Sequence, residues 1–215
     1  MFTTAQCNEE VRLGRFSPTF ATGDEALSPG MISVPVHTVP KKSGKLCLVV
    51  DHSAGDFSPN SHIAQDNIHN DLDTVYHLGN NLVHFRSTTP TAPLWLFKSD
   101  VSQAYHRLPM HPAWQMWKVV TVNGRRHVDC CNNFGGHASA MIWCAFMSLV
   151  LWIANFVVMI EAVLAYMDDT FSHDDNTVLV LYCPYNMLLP SKQVQLLQLW
   201  DDIGLPHDCE KQEYR

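Results

Sequence analysis

A mixed α and β fold follows from three features of the sequence. Short apolar runs bounded by turn formers recur along it, Asn123-Gly124 separates two strand-like runs, and Met141 to Ile160 is a twenty-residue stretch without a charge. The 215 residues, 47% hydrophobic and 16% charged, can bury a core as one or two domains and exclude a disordered or collagen-like chain. Fourteen Lys and Arg against twenty-one Asp and Glu leave a formal net charge of -7. No global basic field draws such a chain onto nucleic acid, so any binding of that kind is local.

Each element has its own justification. Residues 1–30 form a poorly patterned N-terminal arm. Ser33 to Val39 and Leu46 to Val50 read as a hairpin with a basic tip at Lys41-Lys42-Ser43-Gly44-Lys45. Between Asn60 and Val83, Ile63, Ile68, Leu72 and Val75 approach a helical spacing, and a Thr/Pro linker follows over Ser87 to Pro93. Leu94 to Phe97 reads as a buried strand running into Asp100. Trp117 to Val122 and Arg125 to Val128 flank Asn-Gly, which suits a two-residue primed turn. Gly135-Gly136 opens the long apolar helix. Ala162 to Tyr166 and Thr170 to Ser172 read as two strands joined by Asp168-Asp169, and Ser191 to Ile203 is a helix capped by Gly204.

Seven cysteines form no CxxC pair, which favours reduced, intracellular thiols. Met1 to Phe20 carries Glu9, Glu10, Arg12 and Arg15 and lacks the build of a secretory signal. Met141 to Ile160 is long enough to span a membrane, yet Ser148 and Asn155 lie within it and no Lys/Arg cluster flanks it. A buried core helix fits it as well. Trp114 and Trp117 read as core aromatics before base-stacking ones.

The adjacent carboxylates Asp168-Asp169 stand between apolar strands, and Asp100 ends another. Like charges so placed are costly unless a cation meets them, magnesium being the obvious one; a solvated turn is the other reading. Asp174-Asp175 and Asp201-Asp202 read as surface turn and helix charges. None of the twelve histidines stands in HExxH or finger spacing.

PKKSGKLCLVVD (Pro40 to Asp51), FKSDVSQAYHRLPM (Phe97 to Met110), NNFGGHASA (Asn132 to Ala140) and AYMDDT (Ala165 to Thr170), in that order, resemble reverse transcriptases, especially those of retrotransposons. The resemblance covers roughly residues 34–212. It implies an α+β right-hand polymerase fold with an antiparallel sheet packed on helices: fingers over 31–94, palm over 95–112, a fingers hairpin over 113–133, and palm over 134–215. The chain length leaves no room for a thumb in this expectation. The long apolar stretch becomes a buried palm helix and not a membrane span.

Residue by residue, Asp100 and Asp168 match the family's metal-binding aspartates and Asp169 their neighbour, with the carbonyl of Val101 completing the nucleotide-side site for Mg2+, or Mn2+ in its place. Tyr105 matches the aromatic gate that rejects ribonucleotides, with His106 beside it. Phe134-Gly135 resembles the loop that cradles the incoming base pair, and Lys42, with Lys41 beside it, the fingers lysine that meets the triphosphate. Lys211, in IGLPHDCEKQ, resembles the lysine near the leaving pyrophosphate. The implied partners are an RNA or DNA template with its primer, a dNTP and other retroelement domains supplying thumb and RNase H. The implied location is intracellular, cytoplasmic or nuclear.

Departures accompany the matches. Cys47 stands where the fingers pattern places arginine, Ser53 where many relatives have a second arginine, and His137 at a position often basic. A thiol or hydroxyl cannot replace a bidentate arginine contact to phosphate. A retroelement remnant that keeps the fold without polymerising is therefore the competing expectation.

Overall fold

The computed structural model describes residues 2–40, 44, 46–174 and 178–215. In chain order the elements are α1 (Phe2–Arg12), β1 (Ala21–Thr22), β2 (Ser33–Val34), β3 (Val36–Pro40), β4 (Leu46–Val50), α2 (Val75–Thr88), β5 (Trp95–Asp100), α3 (Pro112–Gln115), β6 (Val119–Val122), β7 (Arg125–Val128), α4 (Ser139–Phe156), β8 (Leu164–Tyr166), β9 (Asp169–Asp174), β10 (Leu179–Tyr182), β11 (Met187–Pro190), α5 (Ser191–Asp202) and β12 (Glu213–Tyr214). The chain divides into two compact units, Met1–His69 with Tyr105–Met141, and Asn70–Ala104 with Ile142–Arg215.

In the first unit a sheet of order β1-β7-β6-β2 carries the core. Its centre is the β6–β7 hairpin, whose turn residues Asn123 and Gly124 have φ of 50° and 71°, the left-handed pair that a primed turn needs. Val120 and Val122, on one face of β6, bury against Phe16, Val34 and Cys7. Cys7 belongs to α1, so the arm that shows little pattern contains a helix, held by two core-facing positions, Cys7 and Val11. The expected hairpin of residues 33–50 forms as β3 and β4, with Val36 opposite Val50, while β2 separates from it to run parallel to β6. Lys41, Lys42, Ser43 and Lys45 of its basic tip lie outside the described residues.

The second unit has a sheet of order β12-β5-β9-β8 and a β10-β11 hairpin. α5 buries Val194, Leu196, Leu197 and Trp200 on the stripe its helical rhythm predicts, and Gly204 follows at φ 71°. The helix expected within 60–83 begins only at Val75, after a capping box in which Thr74 and His77 satisfy each other's backbone, and it continues through Ser87 and Thr88. The long helix is shorter than the uncharged stretch and buries one stripe, Trp143, Met147, Val150 and Ala154. Leu149, Trp152 and Phe156 face outward, because the apolar run covers both faces of the helix while one face alone is covered. By length and composition α4 also meets the requirement for crossing a membrane.

Asp174, read from sequence as a surface charge, is buried at the end of β9. Its Oδ2 accepts from Ser191 Oγ at 2.9 Å and from Lys192 N at 2.8 Å, satisfying the first turn of α5.

Candidate active site

The candidate site grows from the pairing of β5 with β9. Six residue pairs, from Trp95 opposite Asp174 to Asp100 opposite Asp169, set the register. Two carboxylates are thereby placed side by side at one end of an antiparallel ladder, where like charges repel. The β8–β9 hairpin pairs Tyr166 with Asp169 and turns through Met167, at φ 58°, and Asp168. Trp143 of α4, fully buried, donates from Nε1 to the Met167 carbonyl at 2.9 Å, and the Val101 amide donates to the Asp168 carbonyl at 3.1 Å. The acidic turn is thus fixed from two sides within this unit.

Two lysines answer the charge. Lys211 Nζ donates to Asp100 Oδ1 at 2.6 Å and stands 3.7 Å from Asp208. Lys98 Nζ lies 3.0 Å from Asp169 Oδ1. The β12–β5 pairing, Glu213 opposite Lys98, closes the segment that carries Lys211 onto the same sheet. Asp100 is only 6% exposed, and burial raises its carboxyl above the ordinary range despite Lys211, with Asp168 and Asp169 pushing the same way. The lysines move upward, Lys98 through its bond to Asp169 and Lys211 through its bond to Asp100. Desolvation of a buried carboxylate outweighs the pull of a lysine that is itself half in water.

The donor chemistry suits a hard divalent cation, since three carboxylates and the Val101 carbonyl offer only oxygen. Among the described residues, however, no group of three His, Cys, Asp or Glu side chains stands close enough to hold an ion. As the side chains stand, ammonium groups supply the compensation.

The remaining candidates group in the first unit. Tyr105 and Phe134 pack with ring centroids 4.5 Å apart, and His106 meets Phe134 edge-on at 6.0 Å. Burial lowers the pKa of His106 to about 4, with Arg15, Lys118 and Arg107 adding to the effect. A Cβ on Gly135 would sit 2.5 Å from the Val50 carbonyl, so backbone and loop approach as only glycine allows. The structure gathers Asp100, Val101, Asp168, Asp169 and Lys211 in one unit and Tyr105, Phe134 and Gly135 in the other. Lys41 and Lys42 lie outside the described residues.

Sequence reasoning missed Lys98 and Trp143. Strand alternation carries the signal for Lys98, which stands two residues before Asp100 and on its face. Trp143 shows no such signal, because one indole in an apolar helix reads as packing until its N–H finds a partner.

No family model matches the sequence, and no curated protein matches it. Solved structures do. A foamy viral protease-reverse transcriptase dRH in complex with double-stranded DNA aligns with a TM-score of 0.66 at 15% identity over 94% of this chain. A mutant of the prototype foamy virus protease-reverse transcriptase aligns at 0.63 with 17% identity over 96%. The foamy viral enzyme in complex with an RNA/DNA hybrid aligns at 0.62 with 15% identity over 96%. The chain spans 29%, 23% and 23% of those proteins. Its fold is reverse-transcriptase-like.

Proposed function

We propose that this chain is the fingers and palm portion of a retroelement reverse transcriptase, transferring deoxynucleotides to a primer 3′ end on an RNA or DNA template. The observation that carries the reading is Asp100 directly opposite Asp169, with the Asp168 turn bonded to Val101, on a reverse-transcriptase-like fold. We read residues 31–94 and 113–133 as fingers and residues 95–112 and 134–215 as palm. Magnesium, when bound, supplies charge neutralisation at the triphosphate and lowers the pKa of the primer hydroxyl. Asp100, Asp168 and Asp169 would hold it, together with the Val101 carbonyl.

The chain's own residues do the rest. Lys211, a half-exposed ammonium beside Asp100, is placed to meet phosphate oxygens once Asp100 is otherwise engaged. Lys98 holds Asp169 in register. Tyr105 and Phe134 offer an aromatic surface to base and sugar, and Gly135 lets the backbone come close. Lys41 and Lys42 are assigned to the triphosphate by resemblance alone.

A catalytically silent fold that still binds nucleic acid is the second reading. Ser53, at an arginine position of the family pattern, accepts from Asn60 at 2.8 Å, and Cys47 Sγ donates to the Leu48 carbonyl of its own strand; neither gives phosphate the charged, two-pronged contact of an arginine. Primer extension by the wild-type chain, Asp100→Asn and Asp168→Ala separates the two. The polymerase reading expects incorporation that falls to background in both variants; equal incorporation in all three excludes these aspartates as catalytic.

A further inference from the structure

A charged chain is buried beneath the glycine loop of the first unit. Lys118, 2% exposed, places its ammonium 3.1 Å from Asp129 Oδ2 and donates to the Cys131 carbonyl. Asp129 Oδ2 accepts from Asn133 Nδ2 at 2.6 Å. Asn133 Oδ1 accepts from the Gly135 amide at 3.0 Å, which fixes the orientation of the side-chain amide. The second hydrogen of Asn133 Nδ2 points to His52 Nε2 at 3.2 Å, so His52 serves as an acceptor and is neutral. Asn60 grips the other side, donating to the Gly135 carbonyl and accepting from the His137 amide, both at 2.8 Å.

Both polar groups of Gly135 are thus tied to buried side chains, and Asn133, two residues earlier, is anchored at Asp129. Between these anchors stands Phe134, 70% exposed and packed on Tyr105. A phenyl ring left in water on so tightly bonded a frame is unusual, since an exposed loop normally lets such a ring fold inward.

We infer that Lys118, Asp129 and Asn133 form a positioning relay that presents the Phe134–Tyr105 pair as a stacking plate for a nucleobase. The inference rests on the polymerase reading for the identity of the base, though not for the relay itself. Asn133 is a positioning residue: it acts through the Gly135 amide and touches no substrate. Lys118 and Asp129 hold the Asn133 amide in the one orientation that leaves Oδ1 for Gly135. Bases stack on aromatic rings at little cost in sequence preference, so the plate reads the presence of a base and not its identity.

The test uses the deoxynucleoside triphosphate of 2-aminopurine, whose fluorescence is quenched on stacking, titrated into the full chain and into Asn133→Ala, Phe134→Ala and the double variant. We expect saturable quenching by wild type, lost in Phe134→Ala, and a dissociation constant raised about tenfold or more in Asn133→Ala, the size of a small misplacement. The double variant should behave as Phe134→Ala does. Hydrogen exchange at the Gly135 amide should accelerate in Asn133→Ala while β6 stays protected. Asn133→Ser, whose hydroxyl can still accept from Gly135, should restore most of the affinity, and it carries the test if the alanine variant fails to fold. A slow Gly135 amide in Asn133→Ala, or wild-type quenching by that variant, overturns the relay. Primer extension reports separately: quenching without extension keeps the relay and removes the polymerase, while extension with unaltered Asn133→Ala behaviour does the reverse.

Discussion

Asp100 illustrates how a side chain suited to function can oppose stability. Its folded-state pKa lies above the ordinary aspartate value because burial outweighs Lys211. A carboxyl raised on folding is favoured while protonated, so its charged form costs stability as pH rises from the ordinary aspartate range through the raised value. Asp100→Asn removes that charge and leaves Lys211 half in water. The variant should unfold at a higher temperature than wild type at pH 7 while losing incorporation; a lower midpoint would show that the Lys211 contact outweighs desolvation. At the same scale, Gly135 stands out in the sequence by resemblance to a nucleotide-side loop, whereas the close approach in the fold is to the chain itself: a Cβ there would stand 2.5 Å from the Val50 carbonyl. Lys118 and Asp129 were not legible. A lysine and an aspartate eleven residues apart in sequence carry no mark of sharing one buried site until the β6–β7 hairpin brings them together.

Elements were readable where local chemistry decides them. Asn123-Gly124 demands a primed turn, and the flanking β6 and β7 follow. α5 announces itself by period and by Gly204. Where tertiary contact decides, the sequence misled: α2 starts at a capping box later than its apolar spacing implies, and α1 exists by packing Cys7 and Val11. Asp174 belongs to this scale too, since a strand's last side chain completes another element's first turn. Asp174→Ala removes the acceptor of Ser191 Oγ and Lys192 N and should lower stability by about 1–2 kcal/mol, the cost of losing a helix cap. An unchanged denaturant midpoint would show that α5 does not need it.

For the molecule as a whole, buried neutral histidines set the response to acid. Burial, then the charge of Lys118, depresses His52 to about 4, and His106 lies near the same value. A base whose folded pKa is depressed stabilises the fold fully above its unfolded value near 6.5 and loses that contribution as pH falls toward 4. The loss is on the order of 3 kcal/mol for His52, by about 1.4 kcal/mol per unit. Thermal midpoints should therefore drop steeply between pH 6.5 and 4, and His52→Gln should flatten that slope; an equal slope in the variant would place the acid sensitivity elsewhere. The order of the four motifs made the whole-molecule architecture legible in outline, and the solved structures agree at the level of fold. The two-unit division was less so, because each unit gathers segments far apart in sequence.

The central claim is that this reverse-transcriptase-like fold polymerises, and extension of oligo(dT) on poly(rA) with dTTP tests it most directly. The account predicts incorporation by the folded chain with magnesium or manganese, none without metal, and loss in Asp168→Ala. A folded chain that binds the primer-template and extends nothing with either metal would contradict it.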